Sequence, residues 1–296
     1  MQRRRFVRSA VMVAVALQVV GTGVLGAQTA TGVNSVEATV SGSVISVTGS
    51  ATFVETPTVV GTDPAGDATV PGIGSDVTQL TISRPAGTNN LVFTMDIADA
   101  IPVLFGVPET ILYTWGLNVD TAGASSEYSV QAWRTAQYDR PGGLDPVIRV
   151  LSHPAAGSFD VVGYFSGTMA DGKVTATVPR SSINADTGTV LSVGSRGVGT
   201  TAGAIGFAYF NNNLGGDGAF IEEYTVPGPT VRLGIAPAGT PPELVPLTVS
   251  ATVNVTTGAF NGFLPKPAGS GEYVVAAEAC YHADACGSGS TTVTVS

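Results

Sequence analysis

Alternation of apolar and polar residues along the chain predicts a series of short β-strands. Residues 36–40 and 44–54 form a predicted hairpin around Ser41-Gly42-Ser43, and residues 110–120 and 126–137 form another. Further strands are predicted at residues 77–83, 91–97, 147–151, 159–169, 173–178, 189–193 and 205–210. Strands at such regular spacing are typical of an all-β fold of the β-sandwich type.

A second group of strands follows a proline-rich stretch at residues 235–244, which predicts a linker between two β-sandwich domains. The larger domain then spans residues 57–235 and the smaller one residues 245–296. About fifty residues are few for a sandwich, since comparable domains have about 100. Either the early hairpin at residues 36–54 completes the smaller domain, so that the larger one is inserted within it, or the two are arranged in tandem.

The N-terminus predicts an export signal at residues 1–27. Arg3, Arg4, Arg5 and Arg8 precede a short apolar run, and small residues follow it. The segment Arg3-Arg4-Arg5-Phe6 also resembles the twin-arginine export motif. Both export routes remain open. After removal of the signal no apolar segment is long enough to span a membrane, so the sequence predicts a secreted protein.

Charge narrows the range of partners. The 296 residues carry a net charge of −9, and loss of the four signal arginines leaves nine basic and 22 acidic residues, a net charge of −13. Such an acidic surface repels phosphate groups, so we do not expect the protein to bind nucleic acids. The charge is compatible with cation binding in an extracellular setting.

The two cysteines, Cys280 and Cys286, predict a disulfide that closes a small loop, as expected for an exported protein. The alternative is a metal site with His282. It would require more soft ligands than these three residues supply.

The loop before residue 77 gathers three carboxylates, Asp63, Asp67 and Asp76, among several glycines. Calcium prefers clustered oxygen ligands of this kind, so a structural calcium site is predicted here. In the alternative interpretation each aspartate caps its own turn through hydrogen bonds to the backbone.

The same loop carries a resemblance to a known family. Asp63-Pro64-Ala65-Gly66-Asp67, followed by Asp76-Val77-Thr78, resembles the start of the family-9-type carbohydrate-binding modules, which belong to the DOMON-like β-sandwiches. Residues 172–181 are similar to a late strand of that group. The resemblance implies sugar binding and structural calcium over residues 57–235. Residues 271–277 and 291–295 resemble the last two strands of bacterial immunoglobulin-like domains.

Aromatic residues provide the candidate ligand contacts. Trp115 shares an entirely apolar face of its predicted strand and is expected in the core. Trp133 lies on a polar face with Gln131, beside Arg134, and Tyr138 follows the strand, which predicts a sugar-binding platform. The alternative is that a loop after this strand covers Trp133.

Three functions are weighed on this basis. The first is a secreted, non-catalytic module for an extracellular glycan or another cell-surface component. The second is a structural or adhesive surface protein whose sandwiches act as spacers. The third, an enzyme, is disfavoured because the sequence has no nucleophile elbow or zinc motif and its two histidines, His153 and His282, predict no catalytic triad.

Overall fold

The computed structural model confirms the all-β prediction, with several antiparallel sheets consistent with β-sandwich architecture. It describes residues 30–67, 76–98, 101, 109–119, 127–135, 146–155, 158–191, 201–208, 211–220, 223–282 and 285–296. Over these ranges, the helices are 3-10 turns at Arg180–Ile183 and Pro242–Leu244. None of the helical segments in this described part is of a length and hydrophobicity that could cross a membrane.

The strands follow one another with short connections where these are described. In chain order they are β1 Gly32–Ser41, β2 Val44–Thr52, β3 Thr58–Thr62, β4 Val77–Ser83, β5 Asn90–Ile97, β6 Glu109–Leu117, β7 Tyr128–Thr135, β8 Val147–Ser152, β9 Asp160–Ala170, β10 Lys173–Pro179, β11 Val190–Leu191, β12 Thr201–Ala208, β13 Asn211–Phe220, β14 Tyr224–Thr225, β15 Thr230–Pro237, β16 Leu247–Ser250, β17 Thr252–Val253, β18 Ala259–Pro265, β19 Gly271–Cys280 and β20 Cys286–Val295.

The larger unit is an antiparallel sheet that curls around one hydrophobic core. Its strand order is β13-β12-β6-β7-β8-β9-β10-β5-β4-β3, and β13 at one end lies against β3 and β4 at the other. Alternate side chains of β5 and β10 point inward, as the sequence pattern predicts. Trp115 is confirmed as a core residue: it is fully buried, and its ring centroid lies 6.1 Å from that of Phe93.

The smaller unit consists of two four-stranded sheets, ordered β1-β2-β18-β17 and β16-β15-β19-β20. Their core combines Ile45 and Val47 from the early hairpin with Leu233, Val275 and Ala277 from the C-terminal strands. Because β2 pairs directly with β18, the early hairpin and the C-terminal strands share one sandwich. The chain enters the larger unit after β2 and leaves it before β15.

The proline-rich stretch at residues 235–244 is not the connection between the units. Residues 235–237 lie in β15 and pair with β19, and residues 238–244 belong to the connection that joins β15 to β16. The predicted boundaries at residues 235 and 245 therefore fall inside the smaller unit. The chain returns from the larger unit at residues 227–229, a shorter Pro-Gly-Pro sequence.

The two units meet around Arg84, whose side chain is 3% exposed. Its backbone N–H donates to Glu55 Oε1 in the outgoing connection, and its Nη1 donates to the carbonyl of Pro227 in the returning one. The same Nη1 lies 2.9 Å from Thr187 Oγ1. From the smaller unit, the Tyr281 hydroxyl donates to the Arg84 carbonyl at 2.5 Å. One buried arginine thus contacts both connections and both units.

Burial at this junction changes the acidity of the groups around Arg84. It raises the pKa of Glu55 to about 7, although hydrogen bonds from Arg84 and Tyr224 and the charge of Arg84 oppose the increase. Burial also raises the pKa of Tyr281 to about 12. The pKa of Tyr224 rises for the same reason, and its hydroxyl lies 3.5 Å from Glu55 Oε1. The junction therefore favours the protonated form of Glu55.

The predicted disulfide is present between Cys280 at the end of β19 and Cys286 at the start of β20. The two cysteines are also register partners in the antiparallel pair. The bridge therefore fixes the hairpin at the end that faces Arg84, because Tyr281 lies within the loop that it closes.

Candidate functional site

Two of the residues predicted to bind a ligand, Gln131 and Trp133, lie on the face of the larger sheet that points away from its core. Gln131 of β7 pairs with Thr114 of β6 on one side and with Arg149 of β8 on the other, and Arg149 pairs with Tyr164 of β9. These four residues form a row across four adjacent strands, which we call the outer row. With strands about 4.8 Å apart, the row is about 14 Å wide.

Trp133 lies beside the outer row, next to Gln131 on the same face of β7. Its side chain is half-buried, and the Arg149 guanidinium lies 5.3 Å from the centroid of its ring. This distance is suitable for a cation–π contact. The indole Nε1 is buried and has no hydrogen-bond partner among the described residues. Trp133 is therefore held against Arg149 instead of standing free on the surface.

Gln131 and Arg149 hold each other in place, because Arg149 Nε donates to Gln131 Oε1 at 2.8 Å. A guanidinium has five N–H donors, and within the described chain the Arg149 side chain makes no other hydrogen bond. Of the other predicted contacts, Arg134 belongs to β7 opposite Ile111, and Tyr138 lies outside the described residues. The structure thus brings Trp133 and Gln131 together with an arginine that sequence analysis did not select.

Tyr164 is the second residue of the outer row that the sequence did not predict as a ligand contact, and it is 45% exposed. Phe159, at the start of the same region, is 60% exposed. The strict alternation of β9 contains the signal: Phe165 packs against the core, so its neighbour Tyr164 must point outward. Pairing of β8 with β9, which the sequence does not specify, places that outward tyrosine beside Arg149.

The predicted calcium ligands lie at the entrance to β4 and are not equivalent. Asp76 is 5% exposed; its Oδ2 accepts the Gly66 N–H at 2.8 Å, and its Oδ1 is buried without a hydrogen-bond partner in the described chain. Asp67 is exposed, and the backbone N–H of Asp63 donates to the Thr78 carbonyl at 3.1 Å. An orphaned carboxylate oxygen fits a cation, since buried acceptors are nearly always satisfied.

The three aspartates do not form a tight cluster of ligand atoms. In the described ranges, one group of three metal-ligand residues lies within 4.8 Å, and it consists of Glu278, Cys280 and Cys286. The cysteines of that group are joined in the disulfide and are not thiolate ligands. A cation at the aspartate loop would therefore rest on Asp76 and draw its other oxygens from Asp63, Asp67 and backbone carbonyls.

A cavity of about 570 Å³ lies beside the start of β7 and the end of β8. Beside it, Ser129 Oγ lies 2.7 Å from His153 Nε2, and His153 Nδ1 lies 3.3 Å from the Ser158 carbonyl. Ser129 is 7% exposed and is not among the residues that line the cavity. Ser129 therefore contacts His153 from outside the cavity lining.

No protein-family model and no curated protein matches the sequence of this chain.

Proposed function

We propose that this chain is a secreted, non-catalytic protein that binds extracellular carbohydrate on the outer face of its larger sheet. The observation that carries the proposal is the outer row, with Trp133 beside it. An exposed tyrosine, a guanidinium and an amide occupy adjacent strands of one rigid sheet, and their side chains point away from the core.

These residue types match the chemistry of sugars. A pyranose ring has an apolar face that stacks on aromatic rings, and its hydroxyls accept and donate hydrogen bonds. Tyr164 provides the stacking surface, and Arg149 provides donors on a side chain already fixed by Gln131. Side chains that are held before binding lose less entropy on binding.

The first test is a glycan-array screen of the mature chain, from Gln28 onward, and of the Tyr164→Ala and Arg149→Ala variants. We expect wild type to bind and each variant to lose at least about tenfold in affinity, because each removes a central contact. Trp133→Ala should also weaken binding. Phe263→Ala removes a side chain that is 62% exposed on the smaller unit and serves as the matched control.

Glycan binding that survives in all three sheet variants would contradict this assignment of the site. If the wild-type chain binds no glycan, the alternative function applies: a structural or adhesive surface protein whose sandwiches act as spacers. Product formation from polysaccharides in a turnover assay would contradict the non-catalytic assignment.

Calcium belongs to the proposal as a structural ion at Asp76, with Asp63 and Asp67. We expect a chelator to lower the thermal unfolding temperature of the mature chain, because a cation that binds the folded state at 100 times its Kd stabilises it by about 2.7 kcal/mol. Asp76→Asn should remove the response to the chelator. Asp160→Asn, at an exposed position of β9, should keep it.

Identical unfolding temperatures with and without chelator would show that the aspartates cap turns instead. Repeating the glycan-array screen in chelator tests whether the ion is also needed for glycan binding. Binding that persists would make the ion structural at most.

A further inference from the structure

The cavity is formed where β6 and β8 end, where β7 begins and where the residue after Arg180–Ile183, Asn184, lies beside them. Its volume lies in the range of small-molecule sites, about 300–1,000 Å³. Resting on the carbohydrate function proposed above, we propose that this cavity binds a single neutral sugar unit, distinct from the part of the glycan that lies on the outer row.

Tyr128 and Asn184 provide the pair of groups that would recognise the sugar. Asn184 Nδ2 donates to the Tyr128 hydroxyl at 2.6 Å, so the two side chains are fixed relative to each other. Within the described chain, the hydroxyl proton of Tyr128 and the Oδ1 atom of Asn184 have no hydrogen-bond partner. A donor and an acceptor side by side match neighbouring hydroxyls of a sugar, since each hydroxyl can donate and accept.

His153 acts as a fixed wall of the cavity. The Ser158 carbonyl can only accept, so Nδ1 of His153 donates to it, and Nε2 lies 2.7 Å from the Ser129 hydroxyl. Both ring nitrogens are therefore engaged by the protein. Pro154 and Val119 add apolar surface, against which one face of a sugar ring can pack.

Glu127 gives the cavity its charge selectivity. Its Oε2 accepts the Val119 N–H at 2.9 Å, which holds the carboxylate at the cavity wall. A fixed negative charge accepts hydrogen bonds from hydroxyls but repels the carboxylate of an acidic sugar. The cavity should therefore prefer neutral hexosides over uronic acids.

The cavity and the outer row lie along the same strand. Tyr128 and Gln131 are three residues apart in β7, which corresponds to about 10 Å at the rise of a strand. Because side chains alternate along a strand, Tyr128 and Gln131 point to opposite faces of the sheet, so the cavity and the outer row are separate sites.

The test uses methyl glycosides of neutral hexoses and of a uronic acid with the full mature chain, and measures binding by saturation-transfer NMR. Tyr128→Phe removes the hydroxyl alone. Asn184→Gly removes the amide and keeps the backbone, because Asn184 has φ 52°, a conformation that glycine adopts freely. We expect each variant to weaken binding of the neutral methyl glycoside about tenfold, as loss of a buried hydrogen bond predicts.

Phe263→Ala, on the smaller unit, is the control and should leave the affinity for methyl glycosides unchanged, whereas Tyr164→Ala should weaken binding of longer glycans. The cavity proposal would be overturned if both cavity variants bound methyl glycosides with the affinity of the wild type. It would also be overturned if the wild type bound no methyl glycoside or preferred the uronic acid. Conversely, intact binding of longer glycans by Tyr164→Ala, together with lost methyl-glycoside binding in the cavity variants, would overturn the outer row and leave the cavity.

Discussion

Glu55 is a carboxyl group whose environment opposes its charge. It lies in the connection between the units and contacts the backbone of Arg84 and the hydroxyl of Tyr224. Tyr281 and Arg84 are the other titratable or charged groups that act on it. Burial dominates, so the pKa of Glu55 rises from 4.5 to about 7.

This raised pKa predicts that the protein becomes less stable as the pH rises. The folded state holds a proton on Glu55 that the unfolded state releases above about pH 4.5, so the stabilisation is complete at lower pH and is lost as the pH passes through 7. We expect the free energy of unfolding in urea to be lower at pH 8 than at pH 5. Glu55→Gln, which stays neutral, should reduce this difference.

The exposed residue Glu243 provides the control, and Glu243→Gln should retain the wild-type pH profile. If Glu55→Gln and wild type gave parallel profiles from pH 5 to pH 8, Glu55 would be ionised throughout that range in the fold.

Single residues were predictable from sequence where one strand decides their environment. The apolar face around Trp115 was sufficient to place it in the core. The contact of Ser129 with His153 was not predictable, because it depends on how two strands and a turn meet 24 residues apart. Arg149 was missed for the same reason: its importance comes from the pairing of β8 with both β7 and β9.

At the scale of elements, the close approach of β20 to β1 closes the smaller sandwich. A Cβ atom on Gly287 would lie 2.4 Å from the Thr31 carbonyl oxygen and 2.7 Å from the Cα of Gly32. Backbone atoms cannot move aside as a flexible side chain can, so this contact requires glycine. The edges of the two sheets are thereby brought together.

Gly287→Ala should therefore destabilise the protein by roughly 1–3 kcal/mol, the usual cost of overpacking. Gly32→Ala is the matched control on the opposite strand, where a Cβ would lie 4.0 Å from its nearest neighbour, the Ala30 carbonyl oxygen. Urea unfolding of both variants measures the difference. Equal midpoints would show that β1 and β20 can separate without cost.

Element types were easier to predict than the connections between them. The alternating patterns of β6 and β7 predicted their hairpin, and the register confirms it. The proline-rich residues 235–244 misplaced the boundary because proline also occurs at strand ends and in turns, where its missing N–H is harmless. The pairing of β15 with β19 sets the boundary, and this pairing cannot be predicted from the local sequence.

At the scale of the whole molecule, the two units differ in how their strands are joined. The larger unit is built from one continuous part of the chain, whereas the smaller unit combines the early hairpin with β15–β20. Arg84 connects them by contacting the outgoing segment, the returning segment and Tyr281. This position gives the larger sheet a fixed attachment on the smaller unit.

The divided smaller unit also sets an order for folding. Val47 of β2 pairs with Gly262 of β18, 215 positions later, and contacts of such long separation form slowly. An isolated two-stranded hairpin has little stability in water, so we expect β1 and β2 to become stable only when the C-terminal strands pair with them. A chain that stops before β18 leaves the edge of β2 and its apolar face uncovered, which favours aggregation and degradation. The smaller unit is therefore complete only when the strands from β15 onward have joined the early hairpin.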